Sequence, residues 1–321
     1  MIKKTNNKKT NNKKTNNKKT NNKKTNNKKT LVIVIVIACV LVSASVLSMT
    51  FGIIPATTSK TTLSMSDYID DLSTTHTVKA QSTSNFHLYL TPDDIQRLQN
   101  NFMNIDGIRI LLNESNSEQL IEDLKPNSGT VVIYPVFTSA AYKEPGFYTY
   151  FAGKCDQSCV TDLSFENPEF QFTSSGATAQ ILYHVGYDFL TDVQVDQNPE
   201  ILENYETVIL LHNEYVTQKQ FDAISTHPNL IFLHPNALYA LVTADYDTNT
   251  ITLIQGHDYP PENPISNGFN YEIEKKFHDY EYDTECSNWK FIEIVNGFHL
   301  NCYPESIIID NLEILKKIKE F

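Results

Sequence analysis

The sequence predicts an α/β fold, in which a doubly wound, mostly parallel sheet carries an antiparallel hairpin extension and is preceded by one transmembrane helix. Residues 208–211 and 230–233 are short, wholly apolar runs, typical of strands covered on both faces. A helix pattern lies between them, which favours a right-handed parallel crossover. Residues 31–54 contain no charge, and at about 1.5 Å per residue they can cross a hydrocarbon core about 30 Å thick.

The chain begins with an unusual basic segment. Residues 1–30 repeat the unit KKTNN, with twelve lysines and no acidic residue, so we expect a disordered tail that buries too little surface to fold. The lysines precede the apolar run, which predicts a cytoplasmic tail, a single-pass span at 31–54 in the cell membrane and an extracytoplasmic remainder. A cleaved signal peptide is the alternative, because the SAS sequence at 43–45 resembles a cleavage site.

Charge separates the tail from the rest of the chain. The protein has 26 basic and 38 acidic residues, a net charge of −12. Twelve of the basic residues lie in the tail, so residues 31–321 keep 14 and carry a net −24. This argues against nucleic-acid binding by the outer part. The tail suits anionic lipid headgroups or RNA on the inner side, although a topology signal explains it without any partner.

Cysteine usage agrees with an outside location. Cys39 lies in the apolar run, and the other four cysteines form an even set that predicts disulfides. Pairing of Cys155 with Cys159 and of Cys286 with Cys302 is the simplest of three connectivities. A four-cysteine zinc site is the alternative, but both spacings depart from the usual C-x-x-C pairs.

The first half of the outer part predicts alternating elements. Residues 55–85 are rich in Ser and Thr and suit a mobile stalk, so one folded domain is expected at 86–321. Thr91 caps a helix that has Pro92 at its first position, and residues 108–112 follow as a strand.

A helix at 117–124 comes next, and the apolar run at 130–138 predicts a strand. Its internal Pro135 indicates an edge position or a bulge. The aromatic run at 147–152 predicts a further strand, paired as a hairpin across a turn at 143–146.

The second half predicts the centre of the sheet. Residues 178–185 have helical spacing and Gly186 ends that helix, after which 188–195 return as a strand and 198–206 form a short helix.

The strand at 208–211 then leads into a helix that Thr217 caps, with Gln220 completing a capping box. After the strand at 230–233, residues 241–246 and 250–255 flank a DTN turn as an antiparallel hairpin. An amphipathic helix at 306–319 ends the chain.

Polar residues follow the predicted strands at the edge where α/β sheets collect ligands. They are His212, Asn213, Glu214 and Tyr215, then His234 and Asn236, and finally His257 with Asp258. Such oxygen and nitrogen atoms can surround a hard or borderline cation, and Glu214 beside His212 suits a general base with a shifted pKa. The plainer interpretation makes each histidine a cap on backbone groups, Glu214 a surface ion pair, Tyr215 a cover for the next helix and Asn236 a left-handed turn residue.

Three short motifs within 174–258 resemble a known family. YDFLTD at 187–192, HNEYVT at 212–217 and PNALY at 235–239 are similar, in this order, to turns of the class I glutamine-amidotransferase-like fold. The similar branch contains the N,N-dimethylformamidase large subunit and trehalose-utilisation-like proteins. The resemblance implies a nucleophilic cysteine after the strand at 230–233, but His234-Pro235-Asn236 stand there instead.

The same branch resembles a metalloenzyme with tyrosine and glutamate ligands to iron. On that resemblance Tyr215 and Tyr187 are candidate metal ligands, to iron or zinc, and Tyr187 and Asp192 join the ligand-binding candidates. The glutamate ligand has no secure counterpart.

Two functions follow as hypotheses. The favoured one is a non-catalytic, membrane-anchored envelope domain that lacks the cysteine nucleophile and binds an unidentified small ligand or partner. The alternative is a metal-dependent hydrolase of carbon–nitrogen bonds that uses Glu214 as its base, with His212 as a second candidate catalytic residue.

Overall fold

The computed structural model describes residues 65–321, apart from 71, 73, 100–104, 106, 167, 270–282 and 284. They belong to a compact unit that extends from Leu63 to Phe321. The predicted basic tail and the predicted transmembrane helix lie outside the described residues. Among the residues that are described, no helix has the length and apolar character needed to cross a bilayer.

The strands within this part of the chain are β1 (Val78–Ser82), β2 (Phe86–Leu90), β3 (Arg109–Leu112), β4 (Thr130–Tyr134), β5 (Leu163–Ser164), β6 (Asp188–Thr191), β7 (Thr207–Leu210), β8 (Tyr215–Val216), β9 (Leu230–Phe232), β10 (Ala240–Asp245), β11 (Thr250–Gln255), β12 (Phe291–Ile294) and β13 (Gly297–Leu300). The helices are α1 (Met65–Asp70), α2 (Pro92–Gln99), α3 (Ser117–Leu124), α4 (Val136–Ala141), α5 (Phe147–Phe151), α6 (Gly176–His184), α7 (Asp192–Gln197), α8 (Gln218–Ser225) and α9 (Leu312–Glu320). Short 3₁₀ helices lie at Gln157–Cys159, Phe172–Ser174, Pro199–Asn204 and Pro304–Ser306.

The largest sheet has the order β12-β13-β9-β7-β4-β6. All neighbours in it are parallel except β12 and β13. Taken along the chain, its parallel strands have the spatial order 2-1-3-4-5, which is the order of one common doubly wound sheet. The α/β class with parallel strands is therefore confirmed, and the strand order reverses between β4 and β7.

Alternate residues of the central strands enter two different hydrophobic clusters, as expected for strands buried on both faces. One cluster also contains apolar residues of α3 and α6, and the other contains residues of α7 and α8. The strand residues of the first cluster include Val132, Tyr134, Ile209 and Ile231, and those of the second include Val131, Ile133, Val208 and Leu210.

Two smaller sheets flank this core. The predicted hairpin is confirmed as the antiparallel pair β10–β11, but it lies in a separate sheet of order β5-β11-β10-β8. Strands β1, β2 and β3 form an antiparallel sheet. Gln180 of α6 bonds the free edge of β3, because its side chain accepts from Ile110 N at 2.9 Å and donates to Ile108 O at 3.0 Å.

Several predicted elements differ in the structure. The strand predicted at 130–138 ends at Tyr134, and Pro135 precedes α4. Because proline has no N–H for the ladder, it stops the strand; β4 is nonetheless central in the sheet rather than at an edge. The strand predicted at 188–195 likewise ends at Thr191, which caps α7.

The hairpin strand predicted at 147–152 is wrong, because Phe147–Phe151 form helix α5. Burial explains the difference: Phe147 is fully buried and packs edge-on against Tyr215, with ring centroids 5.0 Å apart. Tertiary packing of this ring outweighs the strand preference of an aromatic run.

The stalk predicted at 55–85 is also folded over its second part. That part contains α1 and β1, and Met65 and Ile69 of α1 are buried in the main cluster. The C-terminal helix, predicted from residue 306, begins only at Leu312 after a 3₁₀ turn.

The local cysteine pairing is confirmed. Disulfides join Cys155 to Cys159 and Cys286 to Cys302. The second pair ties the segment before β12 to the segment after β13, and both of its cysteines are fully buried.

The cap of α8 is confirmed in detail and yields a stability prediction. Thr217 accepts from Gln220 N at 3.2 Å and also donates to the buried carboxylate of Asp196. Thr217→Ala removes the cap and leaves Asp196 without this donor, so we expect a loss of about 1–3 kcal/mol in the free energy of unfolding. Urea unfolding measures it. Thr226→Ala, the same change at an exposed site, is the control; an equal loss in both variants would contradict the prediction.

Candidate functional site

The site lies beyond the carboxyl ends of the central strands, beside the point where the strand order reverses. The chain leaves β7 at Leu210 and places His212 and Glu214 there, while β4 leads through Pro135 into α4 at the same edge. Crevices at such a switch point are where open α/β sheets bind ligands. The predicted polar turn therefore occupies the expected functional edge.

Glu214 is the centre of this site. Its side chain is 0% exposed, yet four polar side chains converge on its carboxylate. Tyr142 donates to Oε2 at 2.9 Å and Tyr148 donates to Oε1 at 3.1 Å. His257 Nε2 lies 2.6 Å from Oε1, and His212 Nε2 lies 3.0 Å from Oε2, off the line of a good hydrogen bond. Both carboxylate oxygens are thus fully occupied.

These contacts decide the charge of the carboxylate. Burial alone would raise the pKa of Glu214, but the close contacts and positive charge of His212 and His257 hold it well below its usual range. Burial, followed by the charge of Glu214, raises the pKa of Tyr142 and Tyr148 well above that of a free phenol. Glu214 is therefore an acceptor, and the two tyrosines keep their protons and donate.

Backbone contacts fix the other groups near Glu214. Thr138 Oγ1 accepts from Glu214 N at 3.0 Å. His212 Nδ1 lies 2.6 Å from the carbonyl oxygen of Thr173, and since a carbonyl only accepts, Nδ1 carries a hydrogen. His212 therefore directs Nε2 at the carboxylate.

The two predicted strand-end histidines lie against each other. The rings of His212 and His234 stack with centroids 3.5 Å apart, and Tyr303 packs edge-on against His234 at 4.5 Å. Burial, followed by the neighbouring His212, lowers the pKa of His234 well below its ordinary value, so this ring is neutral. Asn236 N donates to His234 Nδ1 at 3.0 Å.

His257 reaches the site from the far end of β11. It stands in a tight turn in which both His257 and Asp258 have positive φ, 54° and 61°. The side chain of His257 is 21% exposed, unlike that of Glu214. Its ring is bordered by Tyr239, Phe151, Tyr215 and Tyr148, with centroid distances of 4.7, 5.4, 5.7 and 6.1 Å.

The other predicted site residues are distributed more widely. Tyr187 precedes β6 and so lies at the amino end of a strand parallel to β7, on the edge of the sheet opposite Glu214. Asp192 lies beyond the carboxyl end of β6, where it accepts from Phe137 N at 2.9 Å. Burial raises the pKa of Asp192 to about 8. Asn213 is fully buried, and neither atom of its side-chain amide has a hydrogen-bond partner among the described residues.

The metal ligands implied by the family resemblance are not brought together. Tyr215 is fully buried at the carboxyl edge, and its hydroxyl has no partner of good geometry within the described chain, whereas Tyr187 lies at the opposite edge. Among the described residues, no group of three or more His, Cys, Asp or Glu side chains is arranged to hold a metal ion. We therefore derive no step through a metal.

Sequence reasoning missed several of the residues that build the site, among them Tyr142, Tyr148 and Thr173. Tyr142 and Tyr148 lie in a stretch that predicts a hairpin, and Thr173 contributes only its carbonyl oxygen. No spacing rule links these positions to Glu214, which lies 72 and 66 residues further along the chain from the two tyrosines. Only the meeting of α4 and α5 with the end of β7 places them here.

Comparison of the sequence with models of known protein families and with curated proteins found no match.

A second buried carboxylate, that of Glu305, stabilises the segment next to the site. Glu305 accepts from Ala177 N at 2.8 Å and from Thr178 N at 2.9 Å, at the first turn of α6. Tyr303, two residues earlier, accepts from Ser175 N and donates to the carbonyl oxygen of Phe172. The C-terminal segment thus holds the loop from which Thr173 contacts His212.

Burial raises the pKa of Glu305 to about 7, and this shift predicts a pH dependence. The folded pKa is raised, so the contribution to stability is present below the unfolded pKa and is lost as pH rises through about 7. From about pH 5 to about pH 8, we expect the wild type to lose of the order of 1–3 kcal/mol more than Glu305→Gln, which keeps an acceptor oxygen. Urea unfolding at each pH measures the difference, and parallel curves would refute it.

Proposed function

We propose that this protein is a membrane-anchored, extracytoplasmic domain with an amidotransferase-like fold that binds a small organic ligand over Glu214. In this protein residues 31–54 are the anchor, and the turn at 256–260 forms one wall of the binding site. What supports it most directly is the buried, ionised carboxylate of Glu214, on which side chains from separate segments converge at the switch point of the sheet.

The buried charge of Glu214 must be stabilised by its surroundings. An ionised carboxylate removed from water costs several kcal/mol unless donors replace the water. Here the donors come from the end of α4, from α5 and from the turn that carries His257. An apolar side chain would fill the same space at lower cost, so a carboxylate with a strongly shifted pKa in this crevice favours a functional site.

Charge and accessibility favour one class of ligand. The residues open to solvent at the site include His257 and the half-buried rings of Tyr148, Phe151 and Tyr239. The outer part of the chain carries a net −24, which repels anions. Aromatic faces suit apolar or cationic groups, so we infer a small neutral or cationic ligand.

The cysteines support a role other than glutamine hydrolysis. Cys155, Cys159, Cys286 and Cys302 are all engaged in disulfides, and His234 stands where the amidotransferase resemblance implies a cysteine. A thiolate nucleophile needs a free, partly exposed thiol. These residues therefore favour a protein that does not hydrolyse glutamine.

Ligand-observed NMR on the full chain in lipid nanodiscs tests the proposal. The probes are three sets of small fragments that are neutral, cationic or anionic at pH 7. We expect neutral and cationic fragments to bind. We expect Glu214→Gln to weaken their binding at least about tenfold, because the substitution removes the negative charge that orients the surrounding tyrosines and histidines. Glu203→Gln, the same change at an exposed position, is the control.

Two results would contradict this function. One is binding that survives in Glu214→Gln or that favours the anionic set. The other is stoichiometric iron or zinc in the purified full chain, which would favour the metal-dependent hydrolase instead.

A further inference from the structure

We propose that His257, oriented by Glu214, is the general base of a hydrolytic site that adds water to small neutral or cationic esters and amides. This inference goes beyond ligand binding, and it assigns to His257 the proton transfer that the sequence suggested for Glu214.

The orientation of His257 carries the first step. Its Nε2 lies 2.6 Å from Oε1 of a carboxylate that is 0% exposed. Because that carboxylate is ionised, it only accepts, and Nε2 must supply the hydrogen. In the neutral ring the lone pair is then on Nδ1. A buried carboxylate that fixes the tautomer of a histidine, and stabilises the imidazolium once it forms, is the arrangement of hydrolytic triads.

The ring of His257 is also the part of this group that is open to solvent. The side chain of His257 is 21% exposed, whereas those of Glu214 and His212 are 0% and 4% exposed. The hydrogen bond to Glu214 is made through Nε2, so Nδ1 is the ring nitrogen left for a substrate. A base must be accessible to the proton that it takes, and of these three side chains His257 is the most exposed.

The backbone around His257 is strained, which supports a functional role. His257 and Asp258 are consecutive non-glycine residues with positive φ, a conformation that costs of the order of 1 kcal/mol per residue. Hydrogen bonds to Ser266 O at 2.9 Å and to Ile265 O at 3.0 Å hold them there. Such strain persists where the surrounding fold over-determines the position, and it clusters at active sites.

The turn also depends on close backbone packing. Gly256 has a φ of 122°, and a Cβ at this position would lie 2.8 Å from the Cβ of Ala240. The glycine therefore lets the end of β11 approach β10 closely enough for the next residue, His257, to reach Glu214.

Glu214 is less suited to act as the base itself. Its oxygens already contact Tyr142, Tyr148 and the two histidines. A proton on the carboxylate would displace one of these donors. The role of Glu214 is to orient His257. Removing the Glu214 carboxylate is therefore expected to weaken His257 as a base without abolishing its activity.

The proposed reaction balances with water as the only co-reactant. Nδ1 of His257 takes a proton from water as the water oxygen forms a bond to the acyl carbon. The resulting tetrahedral species breaks its bond to the alcohol or amine, and the imidazolium returns the proton to that leaving group. The products are a carboxylic acid and an alcohol or amine, and the ring returns to its neutral form.

Hydrolysis of p-nitrophenyl acetate by the full chain in lipid nanodiscs tests this inference. We expect saturable turnover above the buffer rate, at least about a 100-fold loss of kcat/KM in His257→Ala, and partial recovery with free imidazole beyond the rate that imidazole gives without protein. His76→Ala, at an exposed histidine that also has positive φ, should keep full activity. An anionic analogue, p-nitrophenyl succinate, should give a lower kcat/KM than the acetate ester.

The kcat of Glu214→Gln separates an oriented base from a structural residue. We expect kcat to fall in this variant while it stays folded, since the imidazolium loses its carboxylate partner. Near-UV circular dichroism checks that each variant is folded. Absence of turnover by the wild type would overturn the inference. So would full activity in folded His257→Ala, or a loss that imidazole does not restore. Fragment binding without turnover would leave the proposed ligand-binding function intact.

Discussion

The ionised carboxylate of Glu214, buried without solvent contact, is the constraint on which the arrangement of this end of the molecule depends. A charge in the core must be surrounded by donors, because its desolvation costs more than packing can return. Tyr142 and Tyr148 supply hydroxyl groups, and His212 and His257 supply ring nitrogens. These groups come from the end of α4, from α5, from the turn after β7 and from the turn after β11, so the carboxylate couples these four segments.

The parallel sheet makes this meeting geometrically natural. Strands β4 and β7 are neighbours at the point where the strand order reverses, which is where open α/β sheets bind their ligands. Pro135 stops β4 at this edge, and α4 and α5 then bring aromatic side chains to the same edge. The element that sequence patterns predict as a hairpin thus becomes the aromatic wall of the site. Burial of Phe147 against Tyr215 stabilises it there.

Two of the three histidines at the site stack on each other, and the third is partly exposed. His212 and His234 stack on each other and each bonds a backbone group, as the plainer interpretation of strand-end histidines expects. His257 differs because it combines a bond to the buried carboxylate with partial exposure and a strained turn. The first pair suits the wall of a binding site, whereas His257 has the position of a group that can exchange protons with a ligand.

Local sequence determined those features of this protein that short-range physics controls. Apolar runs define β7 and β9, the Thr217–Gln220 capping box starts α8, Ser117–Leu124 form α3, and neighbouring cysteines pair. Each depends on residues a few positions apart. Only the tertiary structure decided that Phe147–Phe151 are helical, that α1 is folded against the core, that Tyr187 lies on the opposite edge from Tyr215, and that His257 meets Glu214 across 43 residues of chain. The physical reason is that the cost of a buried charge and the packing of aromatic rings depend on everything that surrounds a side chain. The hydrophobic periodicity of a short segment contains no information about those surroundings.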